Sequence, residues 1–150
     1  MLRLVLAAVI SYLVGGFPTG VVLTRRRYGL DVREMGSGNI GATNVTRVFG
    51  WSAGVFTFLI DVLKGSVPLL LVQKYFPGDD ALVAVVGVFL VFGHCYTPYL
   101  KLKGGKGVAT GFGVLLVALP WAALFSGVVY IALLLTTRIS AVGSLGGMVT

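Results

Sequence analysis

The sequence predicts an all-α protein, a polytopic bundle of transmembrane helices with about five crossings and half of a sixth. Three observations point there. The chain is 57% hydrophobic and 11% charged, with a mean hydropathy of +0.96 over 150 residues. An ordinary soluble domain carries roughly 25% charged residues, and a domain this small has too little interior to hide so much apolar surface. The polar residues are also gathered into a few short stretches between long apolar runs. A soluble globule and a disordered chain are both excluded. One integral membrane domain, 1–150, accounts for the whole sequence and is expected to be incomplete at its C-terminus.

Each element follows from the roughly 20 apolar residues that a spanning helix needs. Residues 4–23 form the first candidate span, an uncleaved one, closed by Arg25, Arg26 and Arg27. A polar loop over 24–50 follows, holding these three with Arg33 and Arg47. Residues 51–76 are apolar except for Asp61 and Lys64. A short acidic turn lies at 77–80 and a third span at 81–96. Residues 101–107 are basic and glycine-rich. The apolar run 108–135 is too long for one upright helix, and Leu119-Pro120-Trp121 offers a turn that makes it a helical hairpin and returns Arg138 to the cytoplasmic side. After Ser140 about ten apolar residues remain, too few to cross a bilayer alone. The two basic loops are expected to face the cytoplasm, which places the N-terminus outside.

The net charge of +7 suits positive-inside topology first, and anionic substrates or lipids second. Two stretches point to phosphate. Gly36-Ser37-Gly38-Asn39-Ile40-Gly41-Ala42-Thr43-Asn44-Val45-Thr46-Arg47 combines glycines, neutral donors and an arginine. Such a segment can form a nest of backbone N–H groups, with Arg47 as a bidentate clamp. Lys101-Leu102-Lys103-Gly104-Gly105-Lys106-Gly107-Val108-Ala109-Thr110 is a glycine turn leading into a helix N-terminus, a second anion-binding arrangement. It is not a Walker A loop, because Gly107 follows Lys106. Read singly, each stretch is equally well an ordinary cytoplasmic loop. Read together, on one membrane side, they suggest a substrate pair bearing two phosphates.

The remaining chemistry is sparse. Asp61 and Lys64 lie three residues apart inside an apolar helix, where a paired or functional site is the default, the internal pair being favoured. His94 is the sole histidine and Cys95 the sole cysteine, so no disulfide and no multi-ligand metal cluster is expected. A lone helix-end histidine is more often a hydrogen-bonding residue than a base. No Ser-His-Asp set is assembled.

Together these residues resemble a known family, the bacterial acyl-phosphate-dependent glycerol-3-phosphate acyltransferases (the PlsY family). Ser37 to Asn44 with Arg47 is similar to its first motif. Asp61-Val62-Leu63-Lys64-Gly65 resembles the following helix. Gly93-His94, Pro98 and Lys103 to Thr110 are similar to the second motif, and Thr137-Arg138 with Ser140 to the start of a later helix. The resemblance implies a seven-helix enzyme of phospholipid synthesis. It moves a fatty acyl group from acyl phosphate to the 1-hydroxyl of sn-glycerol 3-phosphate, giving lysophosphatidic acid and phosphate. It implies Ser37, Arg47 and Lys106 as catalytic residues. It implies Asn39, Gly41, Thr43, Asn44, Gly104, Gly105, Gly107 and His94 as substrate-binding. Backbone N–H groups around Asn39–Thr43 and Gly104–Gly105 are expected to hold the acyl phosphate.

No cofactor, metal or nucleic acid is implied. The partners are acyl phosphate, glycerol 3-phosphate, the lipid bilayer and the soluble phosphate acyltransferase that makes acyl phosphate. The family's third motif, a His-Arg-x-Asn-Ile-type segment, is absent before Thr150, so this chain alone is expected to be impaired. Two other readings are a small membrane carrier or channel for phosphorylated anions, and a structural subunit whose glycine loops only cap helices.

Overall fold

The computed structural model describes residues 1–137 and 140–149; Arg138 and Thr150, and the side chain of Ser140, lie outside the described residues. The described chain is helical: α1 (Leu2–Gly16), α2 (Thr19–Tyr28), a 3-10 turn at Val32–Glu34, α3 (Ala42–Phe49), α4 (Trp51–Tyr75), α5 (Asp80–Cys95), a second 3-10 turn at Pro98–Leu100, α6 (Val108–Ala118), α7 (Pro120–Thr137) and α8 (Ser140–Val149). Four segments are long and apolar enough to cross a membrane: Leu2–Tyr28, Trp51–Tyr75, Asp80–Leu100 and Pro120–Thr137.

The first span departs from the continuous helix expected over 4–23. It breaks at Phe17-Pro18, between α1 and α2. Proline supplies no N–H and its ring clashes with the preceding turn. Unwound backbone at this depth must be satisfied by protein, because lipid offers no hydrogen bonds. Thr97 Oγ1 accordingly donates to Gly16 O at 2.6 Å, and Lys64 Nζ donates to Phe17 O at 2.9 Å. Pro68, by contrast, lies inside α4 without ending it.

The hairpin expected within 108–135 is present. α6 ends at Ala118 and α7 opens on Pro120, at the first helical position where a missing N–H costs nothing. With 11 residues α6 is about 16 Å long, half the hydrocarbon thickness, so it does not cross alone.

The stretch 24–50 is more ordered than a plain loop. Its α3 buries Asn44 and Val45. Val45 joins Val21, Val32, Ile40 and Ala53 in a small core, with Leu23, Phe49 and Leu100 packed against it. A second core, Leu69, Leu82, Val86 and Leu90, holds α4 and α5 together with Leu4 and Ala7 of α1 and Val114 and Val117 of α6.

The helices approach closely where glycine faces backbone. A Cβ on Gly15 would overlap Leu90 O, and one on Gly93 would overlap Tyr12 O, at the α1–α5 contact. Gly65 and Gly113 meet Thr110 O and Val62 O in the same way, where α4 meets α6. Small residues at such crossings replace the missing hydrophobic drive between helices in lipid.

Candidate functional site

The site is built from the two glycine-rich stretches, one leading from α2 into α3 and the other from α5 into α6. The base of the first stretch is fixed by charge. Asp31 accepts from Arg25 Nη2 at 2.6 Å, from Arg33 Nη2 at 2.7 Å and from Arg33 N at 2.9 Å. The Arg33 hydrogen bond, joined by those of Arg25, outweighs burial and holds the Asp31 carboxyl well below the usual carboxylate range; Asp31 in turn raises the Arg33 guanidinium. Two of the five arginines in residues 24–50 are thereby committed to structure.

Asn44 is the clamp of the first stretch. It is 2% exposed. Its Oδ1 accepts from Ser37 N at 2.8 Å, and its Nδ2 donates to Val32 O at 3.2 Å, Met35 O at 3.0 Å and Asn39 O at 2.9 Å. One buried amide thus closes the loop across twelve residues of chain. Asn39 makes a local turn, its Oδ1 accepting from Gly41 N at 2.9 Å, and Gly41 then caps α3. The side chains of Ser37 and Arg47 are exposed and hold no hydrogen bond or ion pair among the described residues. Thr43 is exposed one turn before Arg47.

The second stretch lies across the end of α5. Gly104 N donates to Cys95 O at 3.1 Å and Gly105 N to His94 O at 3.0 Å. These two N–H groups are therefore spent on the α5 terminus, and the expectation that they form an anion nest is corrected. The reason is geometric: α5 ends with free carbonyls, and the loop satisfies them. Glycine is required because a Cβ at 104 would overlap the α5 backbone, and one at 105 the His94 ring. Gly107, with φ of 76°, turns the chain into α6. Val108, Ala109 and Thr110 make no backbone hydrogen bond through N–H, as the first turn of a helix must. These donors lie beside Lys106, which is exposed and without a partner among the described residues, and a helix N-terminus with a lysine is an arrangement that can hold an anion.

His94 lies beneath this loop rather than open to it, 4% exposed, with Nδ1 at 3.2 Å from Thr110 Oγ1 and 4.0 Å from Asp61 Oδ1. Asp61 pairs with Lys64 at 2.8 Å, as its spacing predicts, and accepts from Thr19 Oγ1 at 2.9 Å.

The two stretches are joined at one end of the bundle. Leu100, beside the second, packs on the core that contains Ile40 and Val45 of the first. Gly20 lies so close to Ile40 O that a Cβ would overlap it. The parts that sequence reasoning missed are Thr19 and Gly20, hidden within an apolar run; Pro18 was the available signal.

Comparison with known proteins gives the family. A family model described as glycerol-3-phosphate acyltransferase matches residues 5–150. The chain belongs to the glycerol-3-phosphate acyltransferase family. The glycerol-3-phosphate acyltransferase of Myxococcus xanthus (strain DK1622) is 49% identical over 141 residues, spanning 94% of this chain and 73% of that protein. That of Syntrophotalea carbinolica is 50% identical over 135 residues, spanning 90% and 69%. Among solved structures, the glycerol 3-phosphate form of PlsY, an integral membrane glycerol 3-phosphate acyltransferase, superposes with a TM-score of 0.91 at 38% identity, covering 98% of this chain and 73% of that one. Its lysophosphatidic acid form gives 0.88 at 36%. Like these relatives, this family member is an integral membrane protein built of apolar helices.

Proposed function

We propose that this membrane acyltransferase takes its acyl group from acyl phosphate and passes it to the 1-hydroxyl of sn-glycerol 3-phosphate, at the cytoplasmic face of the bacterial inner membrane. The observation that carries the reading is the convergence of two glycine-rich stretches at one end of the bundle. They present three polar side chains without a partner among the described residues, Ser37, Arg47 and Lys106. A soluble phosphate acyltransferase would supply the acyl phosphate.

The reaction demands little covalent help. Phosphate is a good leaving group, so no acyl-enzyme is required, and the protein's task is to bring two anions together and orient them. Arg47 and Lys106 hold the phosphate of glycerol 3-phosphate, the first through its fork and the second as a point charge. Ser37 orients the glycerol. The first turns of α3 and α6 direct backbone donors at the acyl phosphate. The 1-hydroxyl oxygen attacks the acyl carbon, the bond from that carbon to the phosphate oxygen breaks, and phosphate leaves with the electron pair. A phosphate oxygen of the donor takes the hydroxyl proton, which balances the step as ester and hydrogen phosphate. The acyl chain lies among apolar helices, reached from the bilayer. In this scheme Asn44 and Gly107 shape the stretches that hold substrate.

The test supplies labelled glycerol 3-phosphate with palmitoyl phosphate, palmitoyl-CoA or palmitoyl carrier protein to the protein in bilayers. The reading predicts lysophosphatidic acid from palmitoyl phosphate alone, with phosphate released in equal amount. Transfer from either thioester at the same rate would contradict it.

A further inference from the structure

The mechanism above leaves unused a buried ionic post below the two glycine-rich stretches. Asp61 and Lys64 are almost fully buried, their side chains 3% and 6% exposed, and their contacts run in three directions. Through Lys64 Nζ they reach Phe17 O, at the break of the first span, at 2.9 Å. Through Asp61 Oδ1 they hold Thr19 at 2.9 Å, and Thr19 adjoins Gly20, which lies against Ile40 O of the first stretch. Toward α5, Asp61 Oδ1 lies 4.0 Å from His94 Nδ1, beyond hydrogen-bond reach, and that nitrogen is 3.2 Å from Thr110 Oγ1 in the first turn of α6. The His94 ring lies against Gly105, and His94 O accepts from Gly105 N at 3.0 Å. One carboxylate therefore stands between the backbone that supports Ile40 and the backbone that supports Lys106.

Stability alone does not call for this arrangement. Desolvating an ion pair costs more than packing two apolar side chains of similar volume, and breaking such a pair is strongly destabilising. Ionisable groups within spanning helices are costly for the same reason and mark working parts. Capping the freed Phe17 carbonyl would need a donor, but not Asp61, Thr19 and His94 around it.

We propose that Asp61 is a positioning residue for acyl transfer. With Lys64 it fixes the spacing between the two phosphate-holding stretches, acting through Thr19 on the first and through His94 on the second. The proposal rests on the site reading given above. A shift of about 1 Å between groups that hold two reactants is enough to cost about 100-fold in rate. Loss of the post should therefore leave the bundle folded and the substrate poorly held.

His94 is the sole histidine of the chain, so histidine labelled with nitrogen-15 reports this post without further substitution. The experiment titrates the wild type and the variants D61N and D61N/K64M with glycerol 3-phosphate in lipid nanodiscs. It reads the His94 ring signals, the affinity and the melting temperature. The double variant removes both charges and leaves neither unpaired, which keeps a folded comparison if D61N alone unfolds. The expected result is a ligand-dependent change in the wild-type His94 signals. In the folded double variant that change is lost, and affinity is about tenfold or more weaker for a lost charged pair beside the site. Wild-type affinity in the folded double variant, or wild-type His94 signals unmoved by saturating ligand, overturns the post while leaving the site reading intact. A wild type that binds no glycerol 3-phosphate overturns the site reading and the post together.

Discussion

At the scale of single residues, charge is sorted by partner. Asp31 engages Arg25 and Arg33, while Arg47 and Lys106 hold no ion pair among the described residues, and the proposed function gives both to substrate phosphate. Arg47→Ala or Lys106→Ala should lower acyl transfer by about 100-fold, the usual worth of a charge-assisted contact to phosphate in a confined site, with melting temperature unchanged. Asn44→Ala should act differently. It removes the buried amide that closes the first stretch and should destabilise the protein by about 2–3 kcal/mol, read by thermal melting. Asp31 gives a pH signature. Because its carboxyl is held below the usual range, its stabilising effect is present at and above ordinary carboxylate pH and is lost as pH falls below it. D31N should therefore melt below the wild type at neutral pH, and the two should converge in strong acid. The roles of these residues were unequally legible. Arg47 and Lys106 are conspicuous in glycine-rich surroundings, but the clamp role of Asn44 depends on carbonyls nine and twelve residues away, which spacing does not reveal.

Among elements, helix contacts are set by glycine. Gly65 and Gly113 let α4 and α6 approach to backbone contact. Gly65→Ala or Gly113→Ala should cost about 1–3 kcal/mol of stability as an overpacked crossing. Gly127 is the control, since a Cβ there meets Phe112 at 3.4 Å, an ordinary contact, and Gly127→Ala should melt as the wild type does. Element existence was legible where hydropathy and proline agreed, as at the α6–α7 turn. It was not legible at Phe17-Pro18, because apolar residues on both sides mask a break that only the opposing Thr97 and Lys64 make tolerable. Nor was α3 legible. Its eight residues read as loop by polarity, and their helical state depends on Val45 packing under Ile40 and Ala53.

For the whole molecule, composition alone set the class, since so apolar a chain of this length has only the bilayer as a sink for its surface. The resemblance then set the family, which the fold and relatives bear out. With the basic loops inside, a cysteine placed at Lys101 in a Cys95→Ser background should be labelled by impermeant maleimide only in inside-out vesicles, and one at Asp80 only in right-side-out vesicles. The reverse pattern would put the site outside. The central claim is that both glycine-rich stretches together hold one substrate phosphate. Equilibrium binding of labelled glycerol 3-phosphate to the purified chain in nanodiscs tests it most directly. Arg47→Ala and Lys106→Ala should each weaken saturable binding by about tenfold or more, and the double variant by less than the product of the two, as groups sharing one ligand do. Binding unchanged in the double variant would contradict the account.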